Sequence, residues 1–391
     1  MGKSPIASLC ALAIVGGICL PLLAGCSTTP AGVSPREVSE LKGADLVAGD
    51  QFGTSVAVSG ATAVVGSPGG AGNAYVFKKM ASGWSQVAEL KGSDATGGDH
   101  FGAAVAISGS TIVVGAYDQA KNAGRAYVFE KRAPGWSQVA ELKGSDTVAD
   151  DYFGWSVAIS GSSITVGAVG HAQYTGRAYV FKKMASGWSQ VAELKGSGTT
   201  TEDGFGTSVG IAGTTAIVGA EGYAKGRGRA YVFTETGSTW TQVAELKASD
   251  ADADDNFGAS VAISPTTALV GAYGKASSAG RAYVFENTGK GWEQTAELKG
   301  SNTTAGDYFG ISVAISGKSS VVGAYGHSNF AGRAYVFDHT GKGWEQTAEL
   351  KGSNTTAGDY LGVSVAISGT TAVTGAYDRA KDTGGAYVFQ T

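Results

Sequence analysis

A Phe-Gly pair recurs at Phe52, Phe101, Phe153, Phe205, Phe257 and Phe309, and Leu361-Gly362 stands in its place once more. The intervals are 49 residues, then 52 five times. A fixed period of that length restricts the chain to architectures in which each copy is one supersecondary unit stacked on its neighbours. Each copy reads roughly D-x-F-G-x-S-V-A-I-S-G, then T-x-x-V-G-A, then G-R-A-Y-V-F, then W-x-Q-x-A-E-L-K-G. Ala74 to Ser93 returns unchanged as Ala178 to Ser197, a trace of internal duplication.

Within a copy, four short apolar runs alternate with clusters of Gly, Ser, Asn and Thr. The runs are too short for helices and are rich in β-branched and aromatic residues, so they read as strands. Glycine supports this: 62 of 391 residues with only 7 prolines and no triplet period suggest tight turns, not disorder. A four-stranded sheet repeated seven times predicts an all-β fold, a seven-bladed β-propeller. Blades stacked face to face bury both sheet surfaces, which explains continuous apolar runs such as AYVF. The last copy reaches Phe389-Gln390-Thr391 after its third strand, without the W-x-Q-x-A-E-L segment. An unpaired stretch at residues 36–42 is expected to supply that strand, closing the ring and removing an open edge.

Other features narrow the function. The net charge of −4, without a basic run, gives no footprint for nucleic acid. The only cysteines are Cys10, Cys19 and Cys26, so the repeats hold no disulfide, thiolate metal site or cysteine nucleophile. Lys3 followed by ALAIVGGICLPLLAG has the form of a secretory signal, too short to span a bilayer comfortably. Leu23-Ala24-Gly25-Cys26 resembles the lipobox of bacterial lipoproteins. That resemblance implies cleavage before Cys26 and a lipid on its sulfur, hence an exported protein held at the cell membrane or outer membrane. The expected organisation is a signal peptide at 1–25, a lipidated cysteine and tether at 26–37, and a propeller at 38–391.

The pairing of Phe-Gly with a downstream Gly-Ala, as in Gly115-Ala116, Gly167-Ala168 and Gly271-Ala272, resembles the FG-GAP repeats of integrin α subunits. Only the first copy, Gly66-Ser67-Pro68, keeps that family's proline. Many members carry an Asp-rich calcium loop between the first two strands; here the connection is merely Ser-Gly-x-x, as in Ser108-Gly109-Ser110-Thr111. Calcium needs six to eight oxygens, so no metal or other cofactor is expected. The family geometry implies that the strand 4-to-1 and 2-to-3 loops share one face, where recognition is usually placed. Tyr117, Tyr273, Tyr325 and Tyr377 recur at one loop position there, candidates for an aromatic ligand-binding rim or for caps on neighbouring blades.

The remaining recurrent residues have structural readings. The aspartate two before each Phe-Gly suits a turn that accepts backbone N–H groups. Arg125 and its equivalents are placed to pair with Glu141 and its equivalents across strands. The Trp of W-x-Q should cover the outer hairpin, and packing is expected of Trp155. The run Asp250, Asp252, Asp254, Asp255 reads as a solvated loop. His100, His171, His327 and His339 show no ligand or triad spacing, so no catalytic residue is expected. The expected function is therefore non-catalytic: a surface-displayed lipoprotein making protein contacts in adhesion or envelope assembly. The alternatives are a lectin-like binder with repeated sites and, behind it, a hydrolase or lyase with an axial site. A protein or glycan partner is expected on the upper face, the membrane through Cys26, and no nucleic acid.

Overall fold

A computed structural model describes residues 35–391 of the chain. The signal segment, Cys26 and most of the tether lie outside the described residues. Seven antiparallel four-stranded sheets follow one another around a ring. Blade 1 consists of Ser55–Ser59, Thr62–Ser67, Asn73–Met80 and Gly83–Leu90 in that order from axis to rim. Blades 2 to 6 repeat the pattern. Blade 7 is composite: Val365–Ser368, Thr371–Ala376 and Gly385–Gln390 are completed by the N-terminal strand Arg36–Leu41. That strand pairs Glu37 with Phe389, Glu40 with Tyr387 and Leu41 with Ala386. The closure expected from the sequence is thus present.

The two motif glycines interlock the blades. Every Phe-Gly glycine has a positive φ, between 92° and 99°, a region L side chains rarely occupy. Its carbonyl abuts the Gly-Ala glycine of the preceding blade, so closely that a Cβ on Gly115 would overlap the Gly154 oxygen. The same contact joins Gly375 to Gly53 across the closure. The serine two residues beyond the Phe-Gly glycine adds a bond across the seam. Ser55, Ser156, Ser208, Ser260, Ser312 and Ser364 each donate their hydroxyl to the next blade's Phe-Gly carbonyl at 2.7–2.8 Å. Blade 2 carries Ala104 instead, so its seam with blade 3 lacks this bond.

The core lies between blades. Each motif phenylalanine is buried against the Tyr and Phe of its own AYVF strand, as Phe101 packs on Tyr127 and Phe129 at 5.4 and 6.1 Å. The neighbouring blade contributes Val64, Val76 and Leu90 to that cluster, with Trp136 covering it from the outer strand. The buried Tyr hydroxyls donate to a loop residue, as Tyr127 does to Asp94 and Tyr335 to Asn302. Tyr231 is the exception: Gly198 stands where the acceptor should be, and its hydroxyl has no partner. On the outer strands, Gln138 and its counterparts accept a backbone N–H from the preceding crossover loop, as Gln138 does from Ser93; Glu37 accepts the corresponding N–H of Ser353 at the closure.

Candidate functional site

The upper face is built from the 4-to-1 and 2-to-3 connections. In the first, the repeated aspartate is a turn residue: Asp50, Asp99, Asp151, Asp203, Asp255, Asp307 and Asp359 each accept the N–H three positions back at 2.6–2.8 Å. In the second, blades 2 to 7 carry a turn of left-handed backbone, for example Ala120, Lys121 and Asn122 at φ 57°, 62° and 63°. Such residues cost about 1–2 kcal/mol each. The turn aims its carbonyls at the next blade: Asn122 accepts from Tyr152 N–H at 2.7 Å and Ala123 from Phe153 N–H at 3.1 Å. Asp382 and Thr383 do the same for Gln51 and Phe52, so the strain is offset by bonds that join blades. Blade 1 has a connection three residues shorter and no such turn, which accounts for the 49-residue interval.

Two side-chain positions per blade point inward on this frame. One follows Gly-Ala: Pro68, Tyr117, Val169, Glu221, Tyr273, Tyr325 and Tyr377 from blade 1 to blade 7. The other precedes the motif phenylalanine: Gln51, His100, Tyr152, Gly204, Asn256, Tyr308 and Tyr360. These alternate around the axis. Tyr273, Tyr308, Tyr325, Tyr360 and Tyr377 form an unbroken chain of ring contacts with centroids 4.9–6.2 Å apart. On the other side His100 stacks on Tyr117 at 5.0 Å, and Tyr117 meets Tyr152 at 6.2 Å. Burial pushes the hydroxyls of Tyr273 and Tyr325 up to about 12.

Between Tyr152 and Tyr273 the chain of rings stops, because Val169, Gly204, Glu221 and Asn256 occupy the intervening positions. There the face opens into a cavity of about 570 Å³. Tyr117 and Tyr273 line it, so the structure gathers two of the four tyrosines singled out in the sequence; Tyr325 and Tyr377 belong to the filled arc. Sequence reasoning missed Tyr152, Tyr174 and Trp155, which complete the walls. Trp155 meets the expectation of packing only in part: its ring lies 4.9 Å from that of Tyr117, yet it is 42% exposed. Its position faces the axis, where its counterparts include the small residues Thr54, Ala103 and Ala259, so no core receives it. It lines both the cavity and an axial channel of about 220 Å³, as does Thr207.

The cavity is acidic. Glu221 is half-buried, and burial pushes its carboxyl above the usual range, partly opposed by the 3.1 Å bond from Thr207. Elsewhere on the face, several carboxylates have cationic partners. His171 and His327 occupy the same turn position in two blades and lie 3.0 and 2.9 Å from Asp151 and Asp307. Lys275 takes that position in blade 5 and sits among Asp250, Asp252 and Asp255 at 3.1–3.5 Å, so this loop is paired internally. Arg379 reaches Glu40 at 2.8 Å in the composite blade, where Gly385 replaces the usual arginine. In blades 2 to 6 the expected cross-strand pairs form, as in Arg125 with Glu141 at 2.8 Å. Among the described residues no group of three or more His, Cys, Asp or Glu is placed to hold a metal ion. Nor is any helix long and apolar enough to cross a membrane.

A closed ring of seven interlocked four-stranded blades defines a repeat β-propeller. The chain belongs to the FG-GAP repeat family, whose profile matches residues 35–77, 84–129, 136–181, 188–233, 240–285, 292–337 and 344–389. Each matched unit runs from the outer strand of one blade into the first three strands of the next, so the repeat in sequence is offset from the blade in space. Among solved structures, a chain from the "Crystal Structure of Mitotic Checkpoint Complex" is similar at 13% identity and a TM-score of 0.58. The match covers 98% of this chain and 99% of that one; at this identity the likeness concerns the fold. A comparison with curated proteins finds no match.

Proposed function

We propose that this protein is a non-catalytic binding module, exported and held at a membrane by lipid on Cys26, which recognises a protein partner through the open sector of its upper face. One observation carries the reading. Between two arcs of contacting rings, His100 to Tyr152 and Tyr273 to Tyr377, the upper face opens into a cavity walled by Trp155, Tyr117 and Tyr273. Exposed aromatic side chains in a preformed concavity give contact area with little loss of conformational freedom. The frame beneath is tied blade to blade, so the loops are presented rigidly.

Immobilised protein lacking residues 1–25 should retain a partner from envelope extracts that the Trp155→Ala/Tyr273→Ala variant releases. Equal capture by both proteins would remove the upper face from the account, and a glycan retained instead would favour the lectin-like alternative. For the anchor, radiolabelled palmitate should enter the wild-type chain and not Cys26→Ser; labelling of both would refute lipidation at this residue.

A further inference from the structure

The cavity has a charge its own residues leave uncompensated. Asp118, Glu202 and Glu221 line it, and no lysine, arginine or histidine does. Asp118 is bonded to His100 at 2.6 Å. Among the described residues the Glu221 carboxylate accepts a side-chain hydrogen bond only from the Thr207 hydroxyl, and neither Glu221 nor Glu202 takes part in an ion pair. Three of the turn aspartates around the gap have a cationic partner: Asp255 has Lys275, Asp307 has His327 and Asp151 has His171. A half-buried carboxylate without a counter-charge is costly and is normally paired.

The walls say which kind of cation fits. Calcium or magnesium requires six or more oxygens, and the rings of Tyr117, Trp155 and Tyr273 make up much of the cavity wall. Aromatic faces carry negative quadrupole potential and attract weakly hydrated organic cations within about 6 Å of the centroid. A neutral sugar would stack on the same rings but would leave the carboxylates unpaired.

Resting on the reading of this face as the recognition surface, we infer that the cavity between Tyr152 and Tyr273 binds an organic cation, an alkylammonium or guanidinium group. The group lies against the Trp155 and Tyr273 rings with Glu221 as its counter-charge. The cation belongs either to a lysine or arginine side chain of a partner or to a methylated amine; the chemistry is shared.

Titration calorimetry with the intact chain tests this with tetramethylammonium, Nα-acetyl-lysine methylamide and Nα-acetyl-arginine methylamide. The neutral isostere 3,3-dimethylbutanol and a panel of monosaccharides serve as controls. At least one cation should saturate at concentrations on the order of 1 mM, with the neutral isostere much weaker. Glu221→Gln and Trp155→Ala should each weaken it about ten-fold, while Glu286→Gln, a remote surface carboxylate, should not. The preferred cation separates the sources: tetramethylammonium indicates a methylated amine, and the amino-acid derivatives indicate a polypeptide side chain. The inference is overturned if no cation saturates, if the isostere binds as tightly, or if Glu221→Gln has no effect. A monosaccharide that saturates where the cations fail also overturns it. Partner capture that persists despite these failures would leave the binding-module reading standing.

Discussion

Two sectors of the upper rim share one backbone and differ in what hangs from it. From Tyr273 to Tyr377, aromatic side chains alternate from adjoining loops and fill the rim. From Val169 to Asn256 the same positions carry Val, Gly, Glu and Asn, and the rim opens. The turn aspartates, left-handed turns and glycine contacts run through both sectors. The cavity is therefore made by subtraction from a repeated frame, and no new structural element is needed to create it.

The comparison is tested most severely by asking whether the frame is equal under both sectors. Gly167→Ala under the gap and Gly323→Ala under the filled arc each drive a Cβ into the next blade's carbonyl, Gly206 or Gly362. Both should cost about 3 kcal/mol in chemical denaturation, and a clear difference between them would show that the sectors are not built alike. The rims should then diverge. Tyr325→Ala removes a half-buried ring that contacts Tyr308 and Tyr360 and should cost about 2 kcal/mol. Trp155→Ala, at an exposed ring, should cost about 0.5 kcal/mol or less. Comparable losses would mean that Trp155 supports the fold and is not held ready for a ligand.

Most of the frame was legible in the sequence, because it follows from what recurs. The period fixed the blades, the missing W-x-Q segment announced the closure by residues 36–41, and the aspartate turns followed from position. The left-handed turns were not legible. Gln119-Ala120-Lys121-Asn122 carries no glycine, and its backbone is held by bonds to the following blade, not by local preference. The cavity escaped for the opposite reason. It arises where copies depart from the consensus, at Val169, Gly204 and Glu221, while attention to the recurring tyrosines found the filled arc as readily as the gap. Trp155 was read as packing because its facing, toward the axis, depends on the twist of the inner strand.

Two smaller effects sharpen the contrast. The blade 2–3 seam borders the open sector and lacks the serine bond present at the other six, so Ala104→Ser should donate to the Gly154 carbonyl. A gain of about 1 kcal/mol is expected in denaturant titration; no gain would mean the seam is already spaced differently. In the filled sector, sharing a proton with Asp382 pushes the Asp378 carboxyl up to about 6. A raised carboxyl pKa contributes stability that is fully present below the usual carboxylate pKa and lost as pH rises through 6. Asp378→Asn should therefore stabilise the protein at pH 8 relative to wild type, with the advantage gone by pH 4. An advantage independent of pH would disprove the shared proton.

The account turns on the gap in the rim, and filling it is the direct test. In the Val169→Tyr/Glu221→Tyr variant the two missing rings are restored at a position where four other blades already accommodate them. Calorimetric titration of this variant with the cation that binds the wild type best should show no saturable heat, with the melting temperature equal to or above that of the wild type. Wild-type affinity in a folded variant whose rim is filled would contradict the account.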